Sequence, residues 1–137
     1  MRFVDTNVLL YAISDDRSET AKRDTALAIL QANDLVLSVQ VLQEFYTQAT
    51  RAMRSGRLMH AEATALITAW QRFRVQELNV TLVERAMATS QRFQISYWDS
   101  AIIEAARAAG CETVLSEDLR HGQNCDGVRV IDPFRAA

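Results

Sequence analysis

The sequence predicts an α/β fold of three layers, a central and mainly parallel sheet with helices on both faces, and three observations predict it. Short apolar runs at residues 2–5, 35–37, 113–115 and 128–131 read as buried strands and alternate with amphipathic stretches that read as helices. Four carboxylates, Asp5, Glu44, Asp99 and Asp118, fall where such strands end or helices begin, the edge on which parallel sheets carry their sites. The chain has 137 residues, 49% of them hydrophobic, with one Pro, four Gly and no linker-like or repeated segment. This composition suits a single domain spanning residues 1–137 with a sizeable core.

Residues 2–5 form a short strand that stops at Asp5, and Thr6 and Asn7 lead from it into an apolar helical turn at residues 8–11. Residues 18–33, opened by Ser18 with Glu19 in the first turn, read as a helix whose apolar side chains gather in its latter half. Residues 35–37 are the second strand, ending at Ser38. From Val39 to about Arg54, the positions Leu42, Phe45, Tyr46, Ala49, Ala52 and Met53 follow the i, i+3, i+4, i+7 spacing of a helix face. Ser55-Gly56 breaks that helix. A further helix with Ala63, Leu66, Ile67, Trp70 and Phe73 on one face should pack against it as an αα-hairpin.

Residues 75–80 read as a short strand or extended connection, and 82–92 as another helix. Ser96 with Asp99 three positions on has the form of a capping box, opening a helix rich in Ala and Ile that stops at Gly110, a natural C′ residue. A buried strand at 113–115 runs into Ser116-Glu117-Asp118, and 128–131 is the last strand before Pro133.

The opening residues resemble the start of a signal peptide, but Asp5 interrupts the apolar run. No segment approaches the roughly eighteen apolar residues of a membrane span, so no membrane association and a cytoplasmic protein are expected. Cys111 and Cys125 form no CxxC pair and read as reduced thiols. His60 and His121 have no ligand at zinc-like spacing and read as exposed or helix-end histidines.

A net charge of −2 argues at first against a nucleic-acid partner. With the four named carboxylates set aside as ligands of a cation, however, the remaining 13 acids face 15 bases. All of those bases but Lys22 are Arg, which suits bidentate phosphate binding and equally suits a GC-rich genome.

Each carboxylate has a structural reading beside a functional one. Asp5 suits the N-cap of the turn that follows. Glu44 falls opposite the apolar stripe of its helix, beside Gln40, Thr47 and Arg51, as a solvated surface residue would. Asp99 can reach back to the Ser96 N–H, and Asp118 can turn the loop that leads to His121-Gly122. Acids brought together resist ionising unless a divalent cation that prefers oxygen ligands, such as Mg²⁺ or Mn²⁺, neutralises them. Glu117 either competes with Asp118 as a ligand or joins Asn7 and Ser116 where outer-shell partners sit. Arg51, Arg54 and Arg57, spaced i, i+3, i+6, would lie on neighbouring parts of one helical face and bind substrate phosphates.

Val4-Asp5-Thr6-Asn7-Val8-Leu9, Glu44 on the helix after strand two, Tyr97-Trp98-Asp99-Ser100-Ala101, Leu115-Ser116-Glu117-Asp118-Leu119 and Ile131-Asp132-Pro133-Phe134 together resemble the PIN-domain family. Within it, the chain is most similar to the VapC-type toxin ribonucleases of VapBC toxin–antitoxin pairs, over about residues 2–134. The resemblance implies a PIN-like α/β/α domain and a Mg²⁺- or Mn²⁺-dependent endoribonuclease. It also implies a homodimer, silenced by a VapB-type antitoxin that wraps its groove. Asp5, Asp99 and Asp118 would be metal ligands and Glu44 the acid of the helix after strand two. Ser116-Glu117-Asp118 departs from the commoner Thr-Asn-Asp form of the last motif.

The chemistry expected is hydrolysis of an RNA phosphodiester by a metal-activated water, with no nucleophilic side chain. Two rivals stand beside it. A PIN-like module could hold RNA or protein without cutting, though carboxylates aimed at phosphates weaken binding unless a cation intervenes. A phosphatase or receiver domain would need an Asp-x-Asp or an acidic pair after strand one, where this chain has Asp5-Thr6-Asn7.

Overall fold

In the computed structural model, which describes residues 1–135, the opening strand β1 (Arg2–Val4) is central, with Phe3 and Val4 fully buried. It pairs in parallel with β2 (Leu35–Ser38) on one side and β4 (Thr113–Leu115) on the other. β3 (Arg74–Gln76) extends the sheet beyond β2 and β6 (Val128–Ile131) beyond β4, both in parallel. The short β5 (Asn124–Cys125) closes the far edge antiparallel to β6, giving the order β3-β2-β1-β4-β6-β5. The chain runs outward from β1 through β2 to β3 and then restarts at β4 on the other side. The crevice beyond the carboxyl ends of β1 and β4 is therefore the switch point of the sheet, where open α/β sheets take their ligands.

Among the described residues six α-helices flank this sheet in an α/β/α arrangement: α1 (Thr6–Ala12), α2 (Thr20–Ile29), α3 (Val39–Ala49), α4 (His60–Trp70), α5 (Val80–Phe93) and α6 (Tyr97–Ala108). α1 packs on α2 and α3, and α3 on α4, where the Phe45 and Trp70 rings meet edge-on with centroids 4.7 Å apart. α5 and α6 pack together, and α6 touches β2, β3, β4 and β6. Ser100 through Ala106 are all buried, so α6 is enclosed on every side, and its small side chains allow that closeness.

Three expectations need correction and one holds with shifted bounds. The helix from Val39 ends at Ala49, not near Arg54, because the Leu58 N–H returns to the Ala49 carbonyl (2.8 Å) and stops the ladder. Met53, counted into the apolar stripe, is 90% exposed. The reading of 75–80 as a short strand or extended connection holds with shifted bounds: β3 starts at Arg74 and ends at Gln76, and α5 begins at Val80, its first turn capped by the Asn79 carboxamide accepting from Leu82 N–H. The helix read over 18–33 is a short 3-10 turn at Arg17–Glu19 followed by α2. The β5–β6 hairpin was missed; its turn places Asp126 (φ 51°) and Gly127 (φ 94°) in the left-handed region, the Asp-Gly signature of a tight hairpin.

Cys111 and Cys125 are buried free thiols. Among the described residues no helix is long and apolar enough to cross a membrane.

Candidate active site

Asp5 follows directly on β1, and its backbone N–H bonds the Leu115 carbonyl of β4 (3.0 Å), which fixes it at the switch point. Its side chain does cap α1, as the structural reading expected: Oδ1 accepts from Thr6 N–H at 2.7 Å. The other oxygen, Oδ2, accepts from the Ser116 hydroxyl at 2.7 Å. Ser116, fully buried, also accepts from the Asn7 amide (3.1 Å) and from the N–H groups of Asp118 and Leu119 (3.2 and 3.3 Å). Asn7 completes the link, its Nδ2 reaching Asp118 Oδ2 at 3.3 Å and its Oδ1 accepting from Glu117 N–H at 3.1 Å. The loop after β4 is thus tied to the start of α1 by neutral groups.

Glu44 comes from α3, which begins at β2 with no linker and is capped by Ser38. Its Oε1 accepts from Thr6 Oγ1 (3.4 Å) and Gln40 Nε2 (3.1 Å), so it is half-buried and held, not a solvated surface residue. Gln40 also reaches the Trp98 carbonyl at 3.4 Å, tying α3 to the first turn of α6. There the Ser96 hydroxyl accepts from Asp99 N–H at 3.0 Å. Among the described residues the return bond of a capping box, from Ser96 N–H to the Asp99 carboxylate, is not made. That carboxylate instead faces a cleft of about 70 Å³ lined by Asp5, Glu44, Asp99 and Asp118 together with Thr6, Asn7, Gln40 and Trp98.

All four sequence-selected acids therefore meet in one place. Burial drives the Asp5 carboxyl up to about 7; hydrogen bonds from Ser116 and Thr6 oppose the rise, and the charges of Asp118 and Glu44 add to it. Asp99 is raised as well, chiefly by burial and further by Asp118. Among the described residues no three Asp, Glu, His or Cys side chains form a ready-made group for a metal ion. The donor set nonetheless suits a hard divalent cation, being all oxygen and short of positive charge.

Glu117 does not face this cleft. Its Oε1 accepts from Tyr11 Oη at 2.5 Å and its Oε2 from Lys22 Nζ at 2.5 Å. Burial opposes its ionisation, but these two donors outweigh that and hold Glu117 below the usual carboxylate range. Glu117 as a competing metal ligand is thereby corrected. Both histidines are exposed, as the sequence reading expected, with His60 at the start of α4; the Nδ1 of each has a local partner, Tyr46 Oη for His60 (2.9 Å) and Asp132 N–H for His121 (3.0 Å).

The arginine face is also corrected. With α3 ending at Ala49, Arg51, Arg54 and Arg57 lie on the connection to α4 and share no helical face. Of the three, Arg54 lines a larger groove, about 380 Å³, that continues from the cleft past Asn7, Tyr11 and Asp118. Asp15, Asp16 and Glu19 line it too, so this groove is acidic. Next to Ser55 of this groove, Gly56 has φ 67°, in the left-handed region that favours glycine, and a Cβ there would stand 2.4 Å from the Asp15 carboxylate and push it aside. Sequence reasoning missed Tyr11, Lys22 and the acids at 15, 16 and 19, which share no periodic or motif signal. Gln40, a polar residue in an apolar helix start, carried a signal that the buried environment now explains.

Solved structures share the fold. VapC20 of Mycobacterium tuberculosis, described as a toxin that cleaves the sarcin-ricin loop, superposes with a TM-score of 0.68 at 22% identity, covering 86% of this chain and 92% of that one. A toxin–antitoxin complex from Klebsiella pneumoniae gives 0.70 at 18% identity, with 99% and 100% covered. DNA-bound VapBC from Salmonella typhimurium gives 0.67 at 17%, with 96% and 97% covered. No curated protein matches significantly in sequence. The model of the PIN domain matches residues 2–126, and with its central strand ending in a buried aspartate among three further acids, the chain belongs to the PIN-domain family.

Proposed function

We propose that this chain is a VapC-type toxin, an endoribonuclease that hydrolyses RNA phosphodiester bonds with Mg²⁺ or Mn²⁺. The observation that carries the reading is the convergence of Asp5, Glu44, Asp99 and Asp118 on one cleft at the switch point. The toxins among the solved structures of the same fold support it.

Asp5, Asp99 and Asp118 would hold the cation, with Glu44 as the further acid of the cleft. A bound divalent cation supplies an activated water and neutralises charge on the phosphate. The chain supplies placement. Thr6 N–H and Ser116 lock both oxygens of Asp5, Asn7 and Ser116 hold the Asp118 loop, and Gln40 with Thr6 orients Glu44. The Tyr11–Glu117–Lys22 clamp fixes the same loop from behind. Because Asp5 carries a proton part of the time near pH 7, taking up a cation there should release a fraction of a proton. Arg54, which lines the groove, would meet a substrate phosphate, with Arg51 and Arg57 on the same connection. The groove's acids suit a basic segment of a cognate antitoxin, and a second copy of the chain is the other partner this reading implies.

The test is cleavage of RNA by the purified chain with Mn²⁺ and with chelator. Cleavage should require the cation and disappear in Asp5→Asn and in Asp99→Asn, with folding kept by circular dichroism. Cleavage that persists in both variants sinks the assignment. Binding without cleavage in the wild type would favour the silent RNA-binding module instead.

A further inference from the structure

Trp98 opens the first turn of α6, one residue before Asp99, and is 66% exposed. Among the described residues it is the one exposed large apolar side chain that lines the carboxylate cleft. A tryptophan left this open forgoes much of the burial its ring would gain in a core. It is not loose: Gln40 reaches its carbonyl at 3.4 Å, and its ring meets that of Tyr97 at 86° with centroids 5.0 Å apart. A perpendicular contact can occupy at most one face of the indole, so a flat aromatic face stays open at the rim of the cleft.

We propose that Trp98 is a stacking platform for one unpaired nucleobase of the RNA, next to the phosphate held at the carboxylates. The inference rests on the nuclease reading and deepens it, since it names the form of substrate the site accepts. A base offers its face only when it has left its helical stack, so a platform here selects single-stranded or splayed nucleotides over a continuous duplex. The setting favours a nucleic acid over a protein partner. Protein hot spots sit inside apolar patches, whereas the cleft around Trp98 is lined mainly by Asp5, Glu44, Asp99, Asp118 and Gln40, and its other apolar residues, Leu10 and Ile102, are half-buried and buried. Stacking is also blind to base identity, so Trp98 would set strandedness more than sequence.

The test uses the full chain carrying Glu44→Gln, which keeps the three proposed cation ligands, with Mn²⁺, a mixed-sequence single-stranded oligoribonucleotide and the same strand annealed to its complement. The single strand should bind more tightly than the duplex and quench the intrinsic fluorescence, which Trp98 reports because Trp70 is buried. Adding Trp98→Ala should weaken single-strand binding about tenfold, abolish the quenching and narrow the preference over duplex, and Trp98→Tyr should restore most of the affinity. In the otherwise native chain, Trp98→Ala should raise KM for the single strand more than it lowers kcat. Because Trp98 is exposed, both variants should melt as their parent does. Unchanged affinity and quenching in Trp98→Ala, with cleavage by the native chain intact, overturns the proposal alone. So does a loss confined to binding of a protein partner. A native chain that neither binds nor cuts either probe overturns the nuclease reading and the platform with it.

Discussion

Asp5 and Glu104 are both buried acids, 6% and 4% exposed, yet the fold treats them in opposite ways. Glu104 on α6 accepts from Arg107 Nε at 3.0 Å and from the Thr89 hydroxyl of α5 at 2.8 Å. Arg107 passes on to the carbonyls of Asp126 and Cys125, so this acid ties α5, α6 and the β5–β6 hairpin together. Asp5 receives only neutral donors, and the charges that act on it, Asp118 and Glu44, are of its own sign. A buried acid answered by an arginine holds structure. One answered by other acids must be neutralised by a proton or by a cation from outside.

The widest separation between the two should be in catalysis. Asp5→Asn or Asp99→Asn should lower Mn²⁺-dependent cleavage by about 10³-fold or more, since several kcal/mol of barrier depend on the cation. Glu104→Ala should leave the rate per folded molecule within about twofold; a comparable collapse there would erase the contrast.

The pH dependence of stability sharpens it. Asp5 in the folded chain titrates at about 7, above its ordinary 3.8, so between those values the folded state keeps a proton that the unfolded chain has lost. The contribution of Asp5 to stability should therefore be full below about pH 4 and be lost as pH rises towards 7, by a few kcal/mol in the absence of divalent cations. Denaturation of wild type against Asp5→Asn over this window should show a shallower slope in the variant, and parallel curves would contradict the origin of the shift. Glu104→Ala should instead cost about 2–4 kcal/mol, read as a lower denaturation midpoint.

Smaller effects separate Asp118 from its neighbour Glu117. Breaking the clamp with Glu117→Gln or Lys22→Met should weaken Mn²⁺ binding about tenfold, as for other residues that only orient a ligand. A loss as complete as that of Asp5→Asn would return Glu117 to the metal. Last, replacing Arg51 and Arg54 together by Ala should weaken RNA binding a few-fold and flatten its salt dependence by roughly one to two phosphate contacts; an unchanged slope would move the substrate path off this loop.

How much of this was legible follows from the range of each signal. The strands at β1, β2, β4 and β6 and the enclosed helix α6 are written in continuous apolar runs, and a strand's end is a local property, so Asp5 and Asp118 could be placed. Glu44 was readable as an acid of the right helix. That it is gripped by Thr6 and Gln40 was not, because that contact joins residues far apart in the chain. The end of α3 depends on Leu58 folding back onto Ala49, a tertiary event that the periodic Ala52 and Met53 disguise. With it went the arginine face. The Asp126-Gly127 turn was a readable signal passed over, because strands as short as Asn124–Cys125 have no periodicity to announce them. Glu117 was ambiguous for a deeper reason: two adjacent acids cannot be told apart until Tyr11 and Lys22 are seen to claim one of them.

The most direct measurement is a calorimetric titration of Mn²⁺ into the intact chain at pH 7, repeated in two buffers of different ionisation enthalpy. The wild type should bind the ion with release of up to about half a proton, and Asp5→Asn and Asp99→Asn should each lose most of that affinity. A wild type that takes up no Mn²⁺, or the two variants binding it as the wild type does, would contradict the claim that these acids are gathered to hold a cation.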